Sequence, residues 1–211
     1  MQMAQDIDPE MKVFWDTELA NIIQRLDGNV HRLPGIQERF NLLISRANNR
    51  YMRPIDLRIV CAELKIEAGE GRRIAFGCSV TNGQPSVTIV VPEMKRTFDE
   101  LRQEDPGLFR RMFENFVIVS FLHELDHLAL GIVGGADISV AQIIECERMV
   151  WAETCETTLR LFTETYKEIL YVGDRLYYAA WIRGGRNAES QTWRDFIAKM
   201  YGQIQPSQTP R

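Results

Sequence analysis

Apolar residues recur every three to four positions near the start of the chain. Val13, Phe14, Leu19, Ile22, Ile23 and Leu26 share one side of a predicted helix. That helix opens at Asp8-Pro9, a capping residue before a proline, and stops at Gly28. A second helix is predicted from Pro34 to about Asn49 on Ile36, Phe40 and Leu43. The period then falls to two. Ile55, Leu57, Ile59 and Cys61 alternate through IDLRIVCAEL (55–64), as in a strand. RRIAFGCSV (72–80) and SVTIVV (86–91) read as two more strands, joined across the turn signal TNGQP (81–85). Helical spacing returns after Pro92. One helix is predicted over 106 to about 131, opening at Asp105-Pro106, and another over 138–165. Two more lie near 166–182 and 188–203, before a loose PSQTPR tail.

This order predicts an α+β fold, mainly helical, with a small antiparallel or mixed sheet packed on the central helix. The length suits a single domain over 1–211. Within it, N-terminal helices span 1–50, the sheet and the helices of a candidate site 54–165, C-terminal helices 166–203 and the tail 204–211. Apolar residues make up 45% and charged residues 26%, an ordinary globular balance. The formal net charge of -4 argues against a nucleic-acid surface. No apolar run approaches the ~20 residues a membrane helix needs. The N-terminal MQMAQDIDPEMKVFW lacks the basic-then-apolar order of a secretory signal. The expectation is therefore a cytoplasmic protein, with Cys61, Cys78, Cys146 and Cys155 as reduced thiols. No CxxC pair exists, which excludes a zinc ribbon.

One feature sits awkwardly in this pattern. FVIVSFL (116–122) is apolar all round, which marks a buried helix, yet it runs straight into His123-Glu124-Leu125-Asp126-His127. Polar groups are expensive to bury without partners, and a bound cation would compensate them. His123 and His127, four apart, lie on one helical face and can reach one metal ion. Glu124 falls on the flank, where it can act on water without binding the metal. The alternative is an exposed amphipathic helix whose histidines and acids make i,i+4 polar contacts.

Two histidines are too few for a zinc site. His31, the only other histidine, falls in a turn far upstream. The next helix offers carboxylates. Val140, Ile143, Ile144, Val150, Trp151, Cys155 and Phe162 form its apolar stripe, and Glu147 interrupts the middle of it. Glu145, Glu153 and Glu156 fall on the polar side with Arg148. A carboxylate on a core face needs a cation, either a metal or a buried arginine or lysine. Asp126 has two readings: a hydrogen-bond partner for the far nitrogen of a ligating histidine, or a solvated helix charge.

Over residues 86 to 160 the order of strand, HExxH helix, loop and glutamate-bearing helix resembles the gluzincin branch of zinc metallopeptidases. His123, Glu124, His127 and Glu147 are the positions that match. The resemblance implies Zn2+ held by His123, His127 and Glu147, with Glu124 as the base in hydrolysis of a peptide or protein substrate. It also implies a sheet whose edge strand binds an extended peptide, with SVTIVVP (86–92) as the strand here. The residues after the glutamate, RMVWAET (148–154), depart from that family's usual ones. The longer histidine motif of the metzincins is absent, with Leu130 and Val133 at its glycine and third histidine.

The segment His123-Glu124-Leu125-Asp126-His127-Leu128 also resembles peptide deformylase, whose third ligand is an upstream cysteine. Gly77-Cys78-Ser79 would supply it, making the chain a metal amidase. Here no glutamate precedes Gly77, and the glycine-rich motif ending in glutamine is missing. Cys78 otherwise reads as a small buried hydrophobe. Tyr177, Tyr178 and His31 are candidates for stabilising an oxyanion. A third class is a non-catalytic metal-binding module, structural or regulatory. Glu124 argues for chemistry, since a closed structural site needs no base.

Overall fold

The structure is a computed structural model that describes residues 8–61, 75–133 and 138–202. It is an α+β fold, mainly helical, with a three-stranded mixed sheet. α1 (Pro9–Phe14) passes through a π turn, Trp15–Leu19, into α2 (Ala20–Asp27). The Asp8 carboxylate accepts the Glu10 N–H at 2.8 Å, the expected cap, and Gly28 ends the rod. α3 spans Pro34–Tyr51, two residues beyond its predicted end.

β1 (Asp56–Val60), β2 (Phe76–Thr81) and β3 (Gln84–Val90) pair in the order β1-β3-β2. β3 is parallel to β1 and antiparallel to β2. The β2–β3 hairpin closes through Asn82 and Gly83, both with positive φ (52° and 75°), as a two-residue type I′ turn requires. β3 is thus the middle strand. The expectation that residues 86–92 form an edge strand fails, because β3 is hydrogen-bonded on both sides. Its near-continuous burial, with Val87 and Ile89 fully covered, agrees with a central place. Residue 91 is not strand: β3 runs directly into α4 (Val91–Glu104). The strand residues expected at 62–64 and 72–74 lie outside the described residues.

α5 (Phe109–Leu130) is the central helix. It starts three residues later than expected, because the Asp105 carboxylate accepts the N–H groups of Gly107 (3.0 Å) and Leu108 (3.1 Å) and holds a turn there. Val117, Ile118, Val119, Leu122, Leu125 and Leu128 are fully covered, so α5 is buried on all sides. Phe121 joins its neighbours: its ring lies 6.0 Å from Phe76 of β2 and 5.8 Å from Phe40 of α3.

α6 (Val140–Thr154) opens with a capping box between Ser139 and Gln142. It continues through the π segments Cys155–Leu159 and Leu161–Thr165. The helix expected near 166–182 begins only at Val172, as α7 (Val172–Arg183). Two contacts break it earlier. Lys167 takes a left-handed conformation (φ 52°), and Glu168 turns inward onto Arg32 and Arg111. α8 spans Gln191–Tyr201, and the predicted tail lies outside the described residues. No helix among the described residues is long and apolar enough to cross a membrane.

Candidate metal centre

Four turns of apolar packing carry His123 and His127 into the interior on α5, where each is nearly covered. Their rings meet edge to face with centroids 4.8 Å apart, and their Nε2 atoms are separated by 3.2 Å. Glu147 enters from α6, where its carboxylate is 18% exposed. Its Oε2 lies 3.3 Å from His123 Nε2 and its Oε1 3.7 Å from His127 Nε2. The helical phase of Glu147 thus brings it to the histidines, as the sequence predicted.

The opposite edges of both rings are occupied. α5 ends in a Schellman turn: Gly131 N–H donates to Leu128 O at 3.1 Å and Ile132 N–H to His127 O at 3.0 Å. That turn aims the Ile132 carbonyl at His127 Nδ1, 2.7 Å away. A carbonyl only accepts, so His127 Nδ1 carries a proton, whatever the state of Nε2. His123 Nδ1 lies 3.2 Å from the Thr154 hydroxyl, which donates to Asp126 Oδ2 at 2.8 Å. Trp151 stacks on the His123 ring at 4.1 Å, and Tyr177 stacks on Trp151 at 3.9 Å.

The three groups shift one another's charge. Burial alone would lower the His127 imidazole, but Glu147 and Glu124 beside it hold it up, to about 9. Burial would favour the neutral acid at Glu147, yet the two imidazoles hold its carboxyl well below the usual carboxylate range. The spacing fits a metal. Three donors at ~2.05 Å from a tetrahedral zinc lie ~3.3 Å apart, against 3.2, 3.3 and 3.7 Å here. Among the described residues, His123, His127 and Glu147 form the one group whose ligand atoms converge in this way.

Cys78, on β2, does not belong to that group. Its thiol sits against Glu124, and burial together with that carboxylate pushes it well above its ordinary value. Glu124 itself is half-buried on the flank of α5. His31 lies elsewhere, covered, with its Nε2 3.8 Å from Glu114. The Tyr178 hydroxyl donates to Glu164 at 2.6 Å, and Tyr177 lies behind Trp151.

Other acids fall as expected. Glu145 and Glu156 face outward, and Glu153, about a third exposed, reaches in to the buried Arg39, 3.0 Å away. Arg148 does not. It is buried, donating to Glu145 and Glu189 and to the Ala188 carbonyl, because the loop before α8 closes over it. Asp126 is fully covered rather than solvated. Burial raises its carboxyl to about 6, against the pull of Arg39 and Thr154.

Three contributors escaped the sequence reading: Thr154, Arg39 and the Ile132 carbonyl. Thr154 was findable, since it lies seven residues after Glu147 and so on the same face of α6. Arg39 carried no such signal. Comparison of the chain with protein-family models, with curated proteins and with solved structures finds no match.

Proposed function

We propose that the chain is a metal-dependent hydrolase of the metallopeptidase type, with His123, His127 and Glu147 as ligands of a zinc ion and Glu124 as its base. The observation that carries this is the triangle of Nε2, Nε2 and carboxylate oxygen, edges 3.2, 3.3 and 3.7 Å, with both Nδ1 atoms already engaged elsewhere. Two imidazole Nε2 atoms and a carboxylate this close must share a proton or a metal ion, and a metal ion satisfies all three donors at once.

A zinc ion there would supply Lewis acidity toward a water and toward the substrate carbonyl. The protein's part is positioning and proton transfer. Ile132 and Thr154 hold the two rings in the orientation that presents Nε2. Glu124, one residue after the first ligand, is on the flank, outside the three-donor group. Its carboxylate takes a proton from the attacking water and returns it to the leaving amine. The Cys78 thiol lies beside that carboxylate. β2 carries Cys78 and is an outer strand among the described residues, so its free edge is where an extended substrate would pair.

The test pairs metal analysis with hydrolysis of a mixed peptide library. Glu124→Gln should retain zinc and fold while losing about 10²–10⁴-fold in turnover. Normal cleavage by that variant would remove the proposed base.

A further inference from the structure

Resting on that site, we propose that Thr154 is a positioning residue, which fixes the tautomer of His123 and couples it to a buried Arg39–Asp126 pair. The hydroxyl oxygen of Thr154 has three polar neighbours: Asp126 Oδ2 at 2.8 Å, the Val150 carbonyl at 3.0 Å and His123 Nδ1 at 3.2 Å. It owns a single proton. The first two neighbours are acceptors only, so the proton goes to one of them, the carboxylate being the stronger acceptor. Toward His123 the oxygen can then only accept. Nδ1 carries the hydrogen, and Nε2 is left with its lone pair facing His127 and Glu147.

Arg39 completes the chain. From α3 it donates to the other oxygen of Asp126, and the same nitrogen reaches Glu153 at 3.0 Å. Arg39, Asp126 and Thr154 are all buried, so the charges are little screened and their order is fixed. The direction runs from guanidinium to carboxylate to hydroxyl to imidazole. A carboxylate behind the hydroxyl makes its oxygen a better acceptor, which makes Nε2 a stronger metal donor. Arg39 also decides what Asp126→Asn would do. It holds the oxygen on its own side, so the amide nitrogen turns onto Thr154 and cannot take the hydroxyl proton.

The experiment is zinc affinity by competition with a chelating dye, with nitrogen-resolved NMR of His123 in the zinc-loaded protein. His123→Ala serves as the reference for the site itself. Thr154→Val should bind zinc about 10–100-fold more weakly and lose the hydrogen-bonded Nδ1–H resonance. Thr154→Ser, which keeps the hydroxyl, should stay within about 3-fold of the parent and keep the resonance. Asp126→Asn should weaken zinc about 10-fold, and it and Thr154→Ser decide the matter if Thr154→Val does not fold. If His123→Ala keeps its zinc, the metal-site reading itself fails. If His123→Ala loses zinc while Thr154→Val or Asp126→Asn binds as tightly as the parent with Nδ1–H unmoved, the relay alone is overturned.

Discussion

At Glu147 a carboxylate 18% exposed faces two imidazole nitrogens 3.3 and 3.7 Å away, while Cys78 lies beside Glu124 and outside the converging group. These placements give opposite expectations for two single substitutions. Glu147→Ala removes a donor and should lose most of the bound zinc, read by metal content after dialysis. Cys78→Ser should leave metal content nearly unchanged; zinc loss in Cys78→Ser with retention in Glu147→Ala would move the third ligand to the thiol. The convergence of His123, His127 and Glu147 was legible because i,i+4 spacing puts the histidines on one face and an interrupted apolar stripe puts Glu147 on the core side of the next helix. Arg39 was not legible, because its partner Asp126 stands 87 positions away and only packing of α3 on α5 brings them together. Arg148 was misplaced for a related reason. Its side of α6 is polar in sequence, but two of its partners, Ala188 and Glu189, arrive from a loop forty residues on.

The ends of α5 decide where its functional groups point. Gly131 adopts φ 70°, and a Cβ there would come 2.5 Å from Arg50 Nη1. Arg50 cannot yield freely, because its Nε donates to the Ala129 carbonyl at 3.1 Å. Gly131→Ala should therefore destabilise the fold by about 1–2 kcal/mol, from the left-handed backbone and the clash with Arg50 together. Chemical denaturation measures it. Repeating the substitution in an Arg50→Ala background separates the two parts, and the backbone part should persist. An unchanged midpoint in both backgrounds would mean that the Schellman turn is not under this constraint. At this scale the sequence located most elements and misjudged their ends and neighbours. The hairpin was legible from Asn82-Gly83, whereas the central place of β3 was not, since strand order depends on which partners pair across the fold. The late starts of α5 and α7 come from side chains, Asp105 and Glu168, that satisfy backbone or charge in ways a periodicity does not register.

Across the molecule, Glu168 ties three distant parts together. Its carboxylate, 4% exposed, meets Arg32 before α3 at 2.7 Å, Arg111 on α5 at 2.9 Å and Asn115 at 3.2 Å. Hydrogen bonds from Arg111, then Arg32 and Asn115, outweigh burial and hold it down to about 2. An unfolded glutamate titrates near ~4.3, so its folded value is depressed. The stability it contributes is fully present above ~4.3 and is lost as pH falls through about 2. Glu168→Gln should cost on the order of 2 kcal/mol at neutral pH, a figure reduced because Arg111 is half exposed. The gap between variant and parent should close toward pH ~2. Denaturation midpoints at several pH values check it, and a gap independent of pH would contradict the charge argument. The network binds the start of α3 and the segment after α6 to α5, the elements that carry Arg39, Thr154 and the histidines.

The measurement that bears most directly on the proposed site is zinc-edge X-ray absorption of the purified chain after equilibration with zinc and removal of excess. A first shell of two imidazole nitrogens and carboxylate or water oxygen at about 2.0–2.2 Å, at about one zinc per chain, is expected. That shell should be lost in the His123→Ala, His127→Ala double variant. A shell containing sulfur at about 2.3 Å, or a chain that retains no zinc, would contradict it.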